Sequence, residues 1–145
     1  MSDVLSLSQI KMPGTARSKD DAIREAGEIL VTAGAVTPDY IDSMFDRERS
    51  VSTYMGNYLA IPHGTNESKE SIKRSALSVI RYPEAIDWDG NEVLFALGIA
   101  GYQGGHMDIL SRIAIVFSDT DEVDKLVAAQ SAQEIYDLLN AVNEE

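Results

Sequence analysis

The stretch VLFALGIAG, Val93 to Gly101, constrains this chain more than any other, because it is apolar throughout except for its glycines. A strand with one solvated face alternates polar and apolar residues, whereas a strand covered on both faces has no wet side to supply. The run therefore predicts a central strand with layers packed above and below it. SALSVIRYP, rich in apolar and β-branched residues, predicts a second strand closed by Pro83. VLSLSQI, residues 4–10, alternates and predicts a short half-buried strand.

Between these lie helical patterns. Ser18 is placed as an N-cap for a helix through Ala33, with Ala22, Ile23, Ala26, Ile29, Leu30 and Ala33 on one face and Gly34 as its stop. Thr37 and Pro38 suit the cap and first turn of a second helix, which would turn Tyr40, Ile41, Met44 and Phe45 inward and end near DRERS. The C-terminal third is helical in pattern, with Leu110, Ile113, Ala114 and Phe117 on one face and Ile135, Leu138, Leu139 and Val142 on another. Strands mixed with helices of these lengths make a layered α/β domain, helices packed on a central sheet. At 145 residues the chain supports one core, so residues 1–145 are taken as one domain.

Charge and cysteine content exclude several functions. The formal net charge of −12 repels a phosphate backbone and no basic stripe offsets it, which argues against nucleic acid. Such a surface favours a basic protein partner, or serves solubility alone. With no cysteine there can be no disulfide, thiolate nucleophile or cysteine-based zinc site. No window approaches the apolar length of a membrane span, and the N-terminus lacks a basic start followed by an apolar stretch, so a cytoplasmic protein without membrane insertion is expected.

The chain has two histidines. In YLAIPHGTNES, Pro62 pushes Ile61 toward extended geometry, and Gly64 removes the side chain that would crowd a group on the His63 imidazole. Taken alone, that is also what an ordinary turn after a strand looks like. In GYQGGHMDIL, His106 follows two glycines at the expected first turn of a helix, where backbone N–H groups favour an anion; a plain helix cap is the bland alternative. MFDRERS offers Arg47 and Arg49, whose guanidinium groups can grip phosphate oxygens, although such a run is commonly a solvated face. One arginine and two histidines with open approaches suit an acceptor that takes and passes on a phosphoryl group, which needs mainly positioning and charge neutralisation. A hydrolase using His63 with a serine and an aspartate is disfavoured by the absence of a G-x-S-x-G elbow. Two imidazoles without clustered carboxylates make a poor metal cage.

DRERSVSTYMGNYLAIPHGTNESK, Asp46 to Lys69, closely resembles the active-site segment of the mannitol/fructose-type enzyme IIA components of the bacterial phosphoenolpyruvate:sugar phosphotransferase system. The similarity continues through RYPEAIDW and GIAGYQGGHMDIL to IYDLLN, and the GHMDIL histidine favours the mannitol branch. The resemblance implies a mixed sheet with helices on both faces. It also implies that His63 takes a phosphoryl group from the histidine-containing phosphocarrier protein and passes it to a cysteine of the cognate enzyme IIB, which works with the membrane enzyme IIC. Arg47 matches the arginine that stabilises the phosphoryl group and His106 the second histidine, while Arg49 has no matching role. No cofactor or metal is implied. A regulatory member of the same superfamily, signalling through its phosphorylation state, is the alternative.

Overall fold

The computed structural model describes residues 4–65, 70–102 and 106–140, with the His106 side chain excepted; Gly104, Gly105 and Val142 lie outside the described residues. In chain order the elements are β1 (Ile10–Lys11), α1 (Lys19–Thr32), α2 (Tyr40–Ser50), β2 (Tyr54–Gly56), β3 (Leu59–Ala60), β4 (Ala76–Trp88), β5 (Asn91–Ala100), α3 (His106–Phe117), α4 (Thr120–Ala128) and α5 (Ala132–Leu139). The strands form one mixed sheet in the order β1-β4-β5-β3-β2. β5 pairs antiparallel with β4 and parallel with β3, while β1 runs parallel to β4 and β2 antiparallel to β3.

The apolar run is the sheet's centre. On one face of β5, Phe95, Leu97 and Ile99 pack with Ile109, Ile113 and Phe117 of α3 and with side chains of α4 and α5. On the other, Ala96 and Ala100 belong to the core under α1 and α2. Gly98 lies between those alanines, so α1 can approach the sheet closely. The Ser78 hydroxyl donates to the Ala26 carbonyl at 2.9 Å and accepts from the Gly98 N–H at 3.2 Å. A Cβ at Gly98 would stand 2.4 Å from Ser78 Oγ and 3.1 Å from Ala26 Cβ. Gly98→Ala is therefore expected to destabilise the fold by about 1–3 kcal/mol, read from the urea midpoint. An unchanged midpoint would mean that α1 is not in tight contact with the sheet.

α1 begins as expected, with the Ser18 hydroxyl accepting from the Asp21 N–H, and it gives way to Gly34 at φ 78°. Two strand expectations need correction. Residues 4–10 are not a strand: Leu7–Gln9 form a short 3-10 turn and only Ile10 and Lys11 pair with β4. The Gln9 side-chain amide takes the place of a ladder, donating to the carbonyls of Val4 at 2.9 Å and Leu77 at 2.7 Å. Nor does Pro83 close its strand. β4 runs on to Trp88, and Pro83 falls inside the register shift between Arg81 and Ile86, where a missing N–H breaks no regular ladder. Asp89 and Gly90 then turn the chain with φ 56° and 94°, the two positive angles of a type I′ hairpin, to pair Trp88 with Asn91.

Glu25 ties α1 to the chain after β1. Its buried carboxylate accepts from Lys11 Nζ at 2.7 Å, the Thr15 N–H at 3.0 Å, the Thr15 hydroxyl at 2.7 Å and the Tyr82 hydroxyl at 2.8 Å. Burial alone would raise its pKa, but these donors together outweigh burial and hold it at about 2, against an ordinary value of 4.5. A depressed carboxylate contributes stability that is present above the unfolded value and lost as pH falls from there through the folded one. Stability is thus expected to drop by about 2–3 kcal/mol as acid titrates this group below pH 4.5. Glu25→Gln should be weaker at neutral pH and lose less between pH 5 and about pH 3, as urea melts across that range would read. Equal slopes for the two proteins would refute the assignment.

Candidate functional site

Past β3 the chain does not leave the sheet. The Ile61 N–H donates to the Thr53 carbonyl at 3.0 Å, the Ile99 N–H donates to the Pro62 carbonyl at 3.0 Å, and His63 pairs with Ile99 as an isolated parallel bridge. The proline–histidine step is therefore held against the central strand rather than carried on a free turn. The half-buried His63 ring places Nδ1 2.7 Å from the Ile61 carbonyl. A carbonyl can only accept, so Nδ1 carries the proton and, in the neutral ring, Nε2 carries the lone pair. The Ile61 carbonyl is thus the partner that orients the ring.

α2 fixes the two residues after the histidine. The Tyr40 hydroxyl donates to the Ile99 carbonyl at 2.7 Å and accepts from the Gly64 N–H at 2.8 Å. Ser43 Oγ accepts from the Thr65 N–H at 2.8 Å and lies 3.1 Å from the Thr65 hydroxyl. Burial pushes the Tyr40 phenol up to about 12, against the opposing bond from Gly64, so it stays protonated at neutral pH. In sequence Tyr40 reads as a core residue alone, and the signal for this second role is that a buried tyrosine hydroxyl needs a partner. Tyr40→Phe leaves the Gly64 N–H and Ile99 carbonyl without that partner and is expected to lower stability by about 1–3 kcal/mol in a thermal or urea melt. A melt identical to wild type would show that the clamp contributes nothing.

Arg47 follows Ser43 by one helical turn, so the residues at positions 40, 43 and 47 share one face of α2. Its Nη1 donates to the Val51 carbonyl at 2.8 Å, and the residue is half-buried. A guanidinium has five donors, so this bond leaves capacity for an anion. Arg49 is exposed and pairs with Asp46. His106 is the first residue of α3, which follows the end of β5 at Ala100; its side chain lies outside the described residues. His63 and the start of α3 thus lie at the same end of the sheet, where β3 and β5 both finish. Among the described residues no group of three or more histidines, aspartates or glutamates is placed to hold a metal, and no helix is long and apolar enough to cross a membrane.

A mixed sheet with helices on both faces and an oriented imidazole where its inner strands β3 and β5 end defines a class that the family match makes specific. The family described as "Phosphoenolpyruvate-dependent sugar phosphotransferase system, EIIA 2" matches residues 3–142, and the chain belongs to it. It is thus an enzyme IIA component, a phosphotransferase of the sugar phosphotransferase system. Within that family it is 51% identical over 141 residues to the mannitol-specific phosphotransferase enzyme IIA component of Halalkalibacterium halodurans, covering 97% of each chain. It superposes with a TM-score of 0.86 and 31% identity on a solved complex of enzyme IIAMTL and phosphorylated enzyme IIBMTL from Escherichia coli, covering 93% of this chain and 96% of that one. The nitrogen regulatory protein IIA-Ntr from Neisseria meningitidis is similar at a TM-score of 0.82 and 29% identity, covering 94% of this chain and 96% of that one.

Proposed function

We propose that residues 1–145 act as one phosphoryl-carrier domain, taking a phosphoryl group on His63 from the histidine-containing phosphocarrier protein and passing it to a cysteine of the cognate enzyme IIB. That enzyme works with the membrane enzyme IIC, and the sugar is mannitol. The observation that carries the reading is the Nδ1 bond from His63 to the Ile61 carbonyl, which leaves Nε2 as the nucleophile. In loading, the Nε2 lone pair forms a bond to phosphorus while the donor's P–N bond breaks and returns its electron pair to the donor imidazole. In unloading, the enzyme IIB thiolate attacks phosphorus and the pair returns to Nε2. Arg47 neutralises the equatorial oxygens through charge-assisted hydrogen bonds, and His106 donates to one of them. No cofactor or metal enters this scheme, and the steps take place in the cytoplasm, where the partners present their reactive groups.

The 51% identity to a mannitol-specific component over nearly the whole chain favours transport. The likeness to a nitrogen regulatory protein supports the second reading, signalling through the phosphorylation state. Reconstitution with phosphoenolpyruvate, enzyme I, the phosphocarrier and candidate enzyme IIB proteins separates them. Transport requires that phosphoryl groups move from this chain to an enzyme IIB cysteine and then to mannitol. Loading without transfer to any enzyme IIB would favour the regulatory reading.

A further inference from the structure

Arg47 is followed on α2 by Glu48, and the two neighbours have opposite environments. Arg47 is half-buried, whereas Glu48 is 6% exposed and points into the core. A buried carboxylate is unfavourable unless donors surround it. Glu48 has three neutral ones: the Thr53 N–H at 2.9 Å, the Thr53 hydroxyl at 2.6 Å and the Trp88 indole N–H at 3.1 Å. Lys19 lies farther away, at 3.9 Å, and makes closer contact with Asp89 at 3.0 Å. Glu48 therefore grips Thr53, a residue of the connection between α2 and β2, and anchors it to α2 and to the end of β4.

That connection touches Arg47 directly and reaches His63 through Ile61. At one end the Val51 carbonyl accepts from Arg47; at the other the Thr53 carbonyl accepts from the Ile61 N–H, and the carbonyl of the same Ile61 accepts from His63 Nδ1. We propose that Glu48 is a positioning residue for phosphoryl transfer: by holding Thr53 it sets where Ile61 presents its carbonyl, and so which nitrogen of His63 carries the lone pair. It touches no reacting atom. The inference rests on His63 being the phosphoryl acceptor, and tautomer and loading measurements separate the two claims.

The positioning depends on hydrogen-bond geometry rather than on charge. A glutamine can reproduce all three contacts, its oxygen accepting from the Thr53 N–H and Trp88 while its NH2 group donates to the Thr53 hydroxyl. The test compares Glu48→Ala, Glu48→Gln and wild type by two measurements on the folded proteins. The first is the His63 tautomer, read from ring nitrogen shifts at alkaline pH. The second is single-turnover loading from the phosphorylated phosphocarrier over a range of its concentrations. Wild type should hold the Nδ1–H tautomer. Glu48→Ala should mix the tautomers and lower the maximal loading rate by about tenfold, with the half-saturating carrier concentration unchanged, because docking is intact while the nucleophile is misplaced. Glu48→Gln should restore the tautomer and most of the rate. Should Glu48→Ala not fold, Thr53→Val removes one donor with little change of shape, and it should shift the tautomer and rate in the same direction.

Wild-type tautomer and rate in a folded Glu48→Ala, or in Thr53→Val where the alanine variant does not fold, would overturn the proposal. So would a Glu48→Gln protein as impaired as the alanine variant, since that would assign the effect to charge. A wild-type chain that takes no phosphoryl group would sink the function instead, while the tautomer measurement would still decide the role of Glu48.

Discussion

Replacing His63 with alanine is expected to abolish loading from the phosphorylated phosphocarrier, a loss of at least about 1,000-fold, because a covalent intermediate cannot form without its nucleophile. The ring is half-buried and its Nδ1 bonds a carbonyl two residues away, so the fold should lose only about 1 kcal/mol. The neighbouring backbone keeps its own bonds through Pro62, Gly64 and Thr65 to β5, Tyr40 and Ser43. An alanine variant that melts near wild type and takes no label therefore isolates chemistry from folding. Mass spectrometry of the wild type should find one added phosphoryl group, acid-labile as expected of phosphohistidine. Stable labelling of the variant would remove His63 from the reaction.

The second large effect is expected at Arg47. Losing a charge-assisted contact to a phosphoryl oxygen corresponds to about 1.5–3 kcal/mol, so Arg47→Ala should slow transfer by about 10- to 100-fold. Because the side chain is half-buried and bonds the Val51 carbonyl, the substitution should also lower stability by about 0.5–1.5 kcal/mol. The rate is therefore to be compared at a temperature where both proteins are fully folded. Arg47→Lys should recover only part of it, since an ammonium lacks the planar fork that holds two oxygens at once. Normal single-turnover kinetics in a folded Arg47→Ala would place the guanidinium outside the site.

Elements were legible in the sequence wherever local chemistry alone decides them. A run without charge from Val93 to Ala100, bounded by glycine, reads as a strand with two covered faces, and Ser18 with Gly34 brackets α1 because a cap and a left-handed stop are local requirements. The placement of His63 at a strand's end was legible for the same reason. Residues 4–10 misled because their alternation matches a strand, yet the Gln9 amide bonds carbonyls from two segments, and a partner 68 positions away leaves no local trace. Pro83 misled because a proline stops a regular ladder but is tolerated at a register shift, which depends on the partner strand. The Asp89–Gly90 turn was available as a hairpin signal between two apolar runs and would have joined β4 to β5. Within the candidate site, side chains suited to an anion are recognisable by type, whereas Tyr40, Ser43 and Glu48 act on backbone groups brought to them by the fold. In sequence they are a core aromatic, a helix-surface serine and one more acid in an acidic chain.

The most direct test of the carrier role is to load the nitrogen-15-labelled protein from the phosphorylated phosphocarrier and to identify the phosphorylated atom by phosphorus–nitrogen coupling. The bond from Nδ1 to the Ile61 carbonyl predicts a single phosphoryl group on Nε2 of His63, with Nδ1 still protonated. A phosphoryl group on Nδ1, or on any residue other than His63, would contradict it.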